Sequence, residues 1–370
     1  MENVIPSSQP QHQKQQVTAK VMPTKVSRIP QSVTSRPALL NLTQVSLRQK
    51  TERDTQKPMK IPRLDVIPIN LEQTCPAGQV TALREKIPDI DKDDSDNPLL
   101  NSEYVKSTYE YLYKLESRVR TNDYFENQSE IKPKMRSILI DWLVQVHHRF
   151  KLYQETLFLT VWIIDRYLMF KQVKKNKLQL VGVSAMLLAA KYEEIYTPEV
   201  RDFVYITDSA YTGEEIRDME KDLFFTLDYC LGIPLCLHFL RRYSKAGEVT
   251  PEMHVMSKFL MELAQPQIMS LVFPSSELAA GALCLTANIL PRDNKKEPTG
   301  WNKTLQHYSG YSQDQLIPVM KGFAQLVNGM CKSGQQAVYA KYSSNKFMEV
   351  AKNSHLTLSP FIQQLLTSNS

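Results

Sequence analysis

Residues 135–146 read Met135-Arg136-Ser137-Ile138-Leu139-Ile140-Asp141-Trp142-Leu143-Val144-Gln145-Val146. On a helical wheel Met135, Ile138, Leu139, Trp142 and Val146 form one stripe. Ile140, Leu143 and Val144 extend it around the helix, leaving Ser137, Asp141, Gln145 and His148 as a polar strip. The apolar sector covers roughly two thirds of the circumference, whereas a surface helix needs only about 100°. Such a helix is either central in a bundle or presents part of its apolar surface to a partner.

Outward from this segment the pattern stays helical. Pro133 suits a first turn, and the helix it opens runs to about Phe150. Upstream, Ser102 and Glu103 open a segment in which Tyr104, Thr108, Tyr111 and Leu115 share a face. Downstream, helices are expected over about 154–169, 177–194, 198–206 and 213–227, and Gly232-Ile233-Pro234 then breaks the pattern. The scheme repeats over about 238–246, 251–264, 275–290, 312–330 and 337–342. Ala185-Met186-Leu187-Leu188-Ala189-Ala190 is echoed by Ala282-Leu283-Cys284-Leu285-Thr286-Ala287, and both are apolar nearly all round. The expectation is an all-α protein of two tandem five-helix domains, at 99–232 with its preceding helix and at 233–350, with an extension over 351–370.

All 33 aromatic residues lie at or after Tyr104, and 11 of the 21 prolines lie in the first 98 residues. A segment without aromatic side chains has little with which to offset ordering entropy, so residues 1–98 are expected to be a disordered tail. It closes on the acidic run Asp89, Asp91, Asp93, Asp94 and Asp96. A net charge of +6 spread over 370 residues does not predict nucleic-acid binding. No apolar run is long enough for a membrane span, and Met1–Pro6 lacks the layout of a secretory leader. Five irregularly spaced cysteines predict a reducing compartment.

Sites for chemistry are absent from the pattern. There is no phosphate-cradling glycine loop, His-Glu-x-x-His or Cys-x-x-Cys. Cys230 and Cys236 read as inert core thiols, and His147 and His148 as surface or rim histidines. The sequence therefore reads as a binding protein rather than an enzyme, with no metal and no cofactor.

Residues 135–146 resemble the motif that opens the cyclin box, and the likeness continues. Lys177-Leu178-Gln179-Leu180-Val181-Gly182, Ala190-Lys191-Tyr192-Glu193-Glu194-Ile195, Asp202–Asp208 and Met219-Glu220 all match in order. Phe239-Leu240-Arg241-Arg242-Tyr243-Ser244-Lys245-Ala246-Gly247-Glu248-Val249 is similar to the B-type (G2/mitotic-specific) cyclins. The resemblance spans about residues 100–350. Two rivals compete with it. A transcription-initiation factor with two cyclin-like folds would begin with a zinc ribbon, which one tail cysteine, Cys75, does not supply. A generic helical scaffold would make the matched charged residues coincidental.

The resemblance implies a regulatory subunit that binds and activates cyclin-dependent kinase 1 as a heterodimer and drives entry into mitosis. Arg136, Asp165, Leu180, Lys191 and Glu220 take the kinase-binding positions. It further implies that Met135, Ile138, Leu139, Trp142, Leu178 and Gln179 form a patch that docks short motifs of substrates and inhibitors. Gln145 stands there in place of an acidic residue. Arg36, Leu39 and Leu42 resemble a destruction box, with Gln44 in the place usually held by Asn and Lys50, Lys57 and Lys60 nearby. This implies capture by the anaphase-promoting complex and ubiquitin-mediated destruction at mitotic exit. Arg241, His254 and Lys258 match a basic pocket for phosphorylated partners, with His254 read as a titratable donor. Cytoplasmic and nuclear residence follows from the same likeness, with no nucleic-acid or membrane partner.

Overall fold

The computed structural model describes residues 87–291, 300–330 and 333–367, and the regular structure among them is helical. The destruction-box residues and their neighbouring lysines lie outside the described residues. The first repeat comprises α2 (Pro133–Phe150), α3 (Gln154–Phe170), α4 (Leu178–Glu193), α5 (Val200–Ile206) and α6 (Gly213–Thr226), preceded by α1 (Val105–Val119). The second comprises α7 (Cys236–Ala246), α8 (Pro251–Ala264), the single turn α9 (Met269–Val272), α10 (Ser275–Ile289), α11 (Lys303–Ser309) and α12 (Gln313–Gly329). The remaining helices are α13 (Ala337–Tyr342), α14 (His355–Leu358) and α15 (Pro360–Thr367).

Each repeat is built around one apolar helix. Residues 180–190 of α4 are all buried, as are residues 278–287 of α10. These are the two echoed sequences, and they occupy equivalent places because neither has a polar face to turn to water. Glycine lets neighbours approach these helices closely. A Cβ at Gly182 would stand 2.8 Å from Leu139 of α2, and one at Gly281 would stand 2.5 Å from Val319 of α12. Helix ends follow local chemistry. Thr212 with Glu215 and Ser312 with Gln315 form capping boxes at the starts of α6 and α12.

Helix α2 is central. Leu139, Ile140, Trp142, Leu143, Val144 and Val146 are buried, and its polar strip is partly covered as well. Asp141 Oδ1 accepts from the Ala337 amide at 3.0 Å, and Ser137 hydrogen-bonds Gln335, so chain from beyond the second repeat crosses back over α2.

Several expectations are corrected. The expected helix over 337–342 is present as α13, but the second repeat also holds the unexpected seven-residue α11, matching the seven-residue α5. Only Leu305 and Ser309 of α11 are buried, too few to write a stripe. In α1, Tyr104, Thr108 and Tyr111 are exposed, and the packing face carries Tyr109, Tyr113 and Glu116 instead. Those residues bond the second repeat: Tyr109 Oη donates to the His238 carbonyl (2.8 Å), Tyr113 Oη meets Tyr243 Oη (2.6 Å), and Glu116 accepts from the Ser276 amide (2.7 Å). Residues 87–98 are not part of a disordered tail but pack on that repeat. Leu356, Ile362 and Leu365 are buried, so the extension after 350 adds to its core.

The repeats are joined by two buried polar networks. In the first, Arg136 of α2 grips Asp165 of α3 through two hydrogen bonds (2.6 and 2.7 Å), with side-chain exposures of 1% and 4%. Tyr124 Oη donates to the same carboxylate at 2.8 Å. Arg136 then reaches across to the Gln265 carbonyl (2.9 Å) and Ser270 Oγ (3.1 Å) in the second repeat. In the second network, Lys341 and Glu262 pair at 2.6 Å, and Gln154 of α3 donates to Glu262 at 2.6 Å.

A buried ion pair loses most when one member is removed, because the other is left uncompensated. Arg136→Met is therefore expected to destabilise the fold by about 3–5 kcal/mol, and Arg136→Met with Asp165→Leu by less than the single change. Urea unfolding followed by circular dichroism checks both. A single-variant loss below about 1 kcal/mol, the range of exposed pairs, would contradict the role assigned to this pair.

Candidate functional site

Lys191 lies in the last turn of α4, where a cation complements the helix carboxyl end. Its ammonium pairs with Glu220 of α6 at 2.7 Å, Lys191 half-exposed and Glu220 mostly covered. Just past it, Glu194 accepts from the Tyr153 amide (2.6 Å) and from Thr156 Oγ1, which pins the end of α4 to the start of α3. The chain held by this anchor leaves its apolar side chains in solvent. Ile195 is 79% and Tyr196 91% exposed, with Tyr192 beside them. Phe225 and Tyr229, which follow Glu220 on the neighbouring element, are exposed too, and Tyr205 of α5 adds a further ring. A charged pair on two rigid helices, flanked by uncovered apolar side chains, is the composition of a partner-binding face.

The structure places the other expected kinase-binding residues behind this face. Arg136 and Asp165 are buried against one another, and Leu180 is buried in α4. The Arg136–Asp165 pair ties α2 to α3, and Leu180 packs in the core. The exposed aromatic residues were missed from sequence. Their signal was the run Tyr192-Glu193-Glu194-Ile195-Tyr196, which places large apolar residues beyond the last helical turn, where no stripe accounts for them.

The expected docking patch divides in two. Met135, Ile138 and Gln179 are partly exposed, while Leu139, Trp142 and Leu178 are buried beneath them. Trp142 is thus a floor residue rather than a free surface ring.

Arg241, His254 and Lys258 are brought together. Arg241 pairs with Glu155 of the first repeat, and Arg241 and Lys258 both act electrostatically on His254. Burial, with help from those two cations, pushes His254 down to about 4, and its Nδ1 shares a hydrogen bond with Ser244 Oγ at 2.8 Å. The reading of His254 as a titratable cation near neutral pH is therefore corrected: it is a neutral hydrogen-bonding group, and the positive charge belongs to Arg241 and Lys258. His147 is likewise corrected from rim to interior. It is buried, its Nε2–H donates to the Tyr153 carbonyl (2.8 Å), and burial pushes it down to about 4. His148 is exposed, as expected.

Cys236 and Cys284 are buried thiols pushed up to about 12 by burial, which keeps them protonated and unreactive. Among the described residues no group of three or more His, Cys, Asp or Glu side chains is placed to hold a metal ion, and no helix is long and apolar enough to cross a membrane.

The chain matches known families along both repeats. The cyclin N-terminal domain family matches residues 107–232, and the cyclin C-terminal domain family matches residues 234–356. The fold resembles that of a viral cyclin from Herpesvirus saimiri, with a TM-score of 0.53 and 22% identity, covering 59% of this chain and 95% of the viral one. The two helical repeats and these matches define the class: the chain belongs to the cyclin family.

Its relatives narrow the group. It is 53% identical to the G2/mitotic-specific cyclin-B of Marthasterias glacialis over 75% of this chain and 70% of that one. It is 46% identical to the G2/mitotic-specific cyclin-B of Spisula solidissima over 85% of this chain and 73% of the relative. Within the family it stands among the B-type, G2/mitotic-specific members, as the 239–249 segment led us to expect.

The depressed histidines carry a pH consequence. In the unfolded chain both take a proton near 6.5, whereas in the fold they stay neutral to about 4. Their contribution is complete above pH 6.5 and is lost as pH falls from 6.5 towards 4, where the unfolded state binds more protons. An NMR titration of the His254 imidazole is expected to give a midpoint near 4. A midpoint near 6.5 would contradict the assignment.

Proposed function

We propose that this chain binds cyclin-dependent kinase 1 through the face around Lys191 and Glu220 and switches it on as its regulatory subunit. As a B-type cyclin the chain is a regulator and not itself an enzyme. The observation that carries the contact assignment is the uncovered Tyr192, Ile195, Tyr196, Phe225 and Tyr229 beside the Lys191–Glu220 pair. A kinase is active only with its regulatory-helix glutamate set against the ATP-site lysine. A rigid partner that binds this arrangement better than the inactive one shifts the population towards it. The apolar residues supply area, and Lys191, held upright by Glu220, supplies donors to the helix or its flanking carbonyls. Arg136, Asp165 and Leu180 keep α2, α3 and α4 in register behind the contact.

Three further assignments belong to the same reading. Met135, Ile138 and Gln179, over the floor of Leu139, Trp142 and Leu178, dock short motifs of substrates and inhibitors. Arg241, Lys258 and neutral His254 receive phosphorylated partners, which must displace Glu155 from Arg241. Arg36, Leu39 and Leu42 present the chain to the anaphase-promoting complex for ubiquitin-mediated destruction. Residence in both cytoplasm and nucleus fits a regulator of mitotic entry.

Mixing the purified chain with monomeric kinase and measuring histone phosphorylation tests the central assignment. Lys191→Ala and Glu220→Ala are each expected to weaken binding by about 2–5 kcal/mol, the cost of truncating a charged group that the complex buries against a polar partner. Full activation by the double variant would refute it. Arg36→Ala with Leu39→Ala is expected to leave activation intact and to stabilise the chain through mitotic exit in a chase experiment. Disappearance on schedule would exclude those residues as the signal.

A further inference from the structure

The acidic run at 89–96 does not behave as a solvated charge cluster. Asp91 is buried, and its carboxylate receives two hydrogen bonds from the Arg242 guanidinium, at 2.6 and 2.7 Å. Lys245, one turn along α7, donates to the same carboxylate at 2.8 Å and also pairs with Asp94. The Arg242 guanidinium lies over the rings of Tyr109 of α1 and Tyr308 of α11, at 5.3 and 4.9 Å from their centroids. Tyr308 Oη takes a hydrogen bond from the Ile90 amide (3.2 Å) and donates to the Pro88 carbonyl (3.1 Å). Burial opposes ionisation of Asp91, but the bonds from Arg242 and Lys245 outweigh it and hold the carboxyl down at about 2.

Two cations three residues apart on one helix face, one of them 6% exposed and walled by aromatic rings, form a site that demands an anion. Guanidinium and carboxylate match in a planar, two-bond geometry, which sets the chemistry of the occupant. We propose that Arg242 and Lys245, with Tyr109 and Tyr308 as walls, form an acidic-peptide-binding cradle on the second repeat, and that the chain fills it with its own residues 87–97 as a latch.

The latch has two arms of different character. The Arg242–Asp91 arm is buried and resists salt, whereas Lys245 is about a third exposed, so the Asp94 arm weakens as ionic strength rises. Because Tyr109 belongs to α1, closing the latch also clamps that helix onto the second repeat. It holds residues 87–91 on the α7–α11 side of the second repeat. Tethering keeps the resident at an effective concentration in the millimolar range, so an outside acidic peptide gains the cradle only when the latch is open.

Hydrogen exchange on the full chain, with and without substitutions, tests this. Asp91→Asn keeps the shape and removes the charge. It is expected to speed exchange of the Asp94 and Asn97 amides, which bond the Asp91 and Asp94 carbonyls, at least tenfold while leaving the centre of α10 unchanged. Unchanged exchange over 87–97 would overturn the latch. Should Asp91→Asn lower protection throughout the fold, Lys245→Met decides: faster exchange confined to 87–97 sustains the proposal, and none overturns it. In a second arm, a fluorescent synthetic peptide of residues 87–97 is titrated into the full chain. It should bind the Asp91→Asn, Asp94→Asn chain at least tenfold more tightly than the unsubstituted one. Equal affinity for both chains would overturn the cradle as a peptide site.

Discussion

Arg136 is a fully buried cation, and the molecule is arranged to satisfy it. Its guanidinium holds Asp165 on α3, its remaining donors reach the Gln265 carbonyl and Ser270 in the second repeat, and Tyr124 completes the carboxylate. A buried guanidinium with a missing partner costs several kcal/mol, so α2, α3, the 265–270 turn and the chain around Tyr124 are held in one geometry or not at all. The pair contributes less through attraction than by making alternatives costly. Helix α4 packs on α2 and α3 as well as on α6, and Lys191 and Glu220 pair across α4 and α6.

The remaining buried charges follow the same rule. Glu262 of α8, Lys341 of α13 and Gln154 of α3 form a second buried bridge between the repeats. Asp91 and Arg242 bind the preceding segment to the second repeat, and Glu116 of α1 caps the start of α10. The second repeat therefore acts as a brace for the first. Its own surface keeps the charges of Arg241 and Lys258, while the first repeat offers exposed apolar side chains around the Lys191–Glu220 pair. Under the proposed function, this division separates the kinase contact from the sites for acidic or phosphorylated peptides.

Much of this was legible in the sequence where one periodicity decided the matter. The apolar wheel of 135–146 and the echo between Ala185–Ala190 and Ala282–Ala287 specified the two central-helix bundles, because burial on all sides leaves no other composition. Periodicity failed where polar partners came from far along the chain. The face of α1 was misread because Tyr109, Tyr113 and Glu116 are chosen by His238, Tyr243 and Ser276, more than a hundred residues away. Asp91 was assigned to the disordered tail because a run of aspartates gives no hint of Arg242. Helix α11 was passed over because two buried residues make no pattern. At the site, the likeness to cyclins grouped Arg136, Asp165 and Leu180 with Lys191 and Glu220. Only coordinates separate the members that lie behind the surface from those that lie on it.

Hydrogen exchange of the chain with and without cyclin-dependent kinase 1 tests the central claim most directly, because it reports the contact face without altering a residue. The account predicts that the kinase slows exchange over residues 190–205 and 217–229, around Lys191, Glu220 and the exposed aromatic residues. The interior of α2 around Arg136 should be unchanged, since it is already buried and bonded. Protection confined to the second repeat, or none on either repeat, would contradict it.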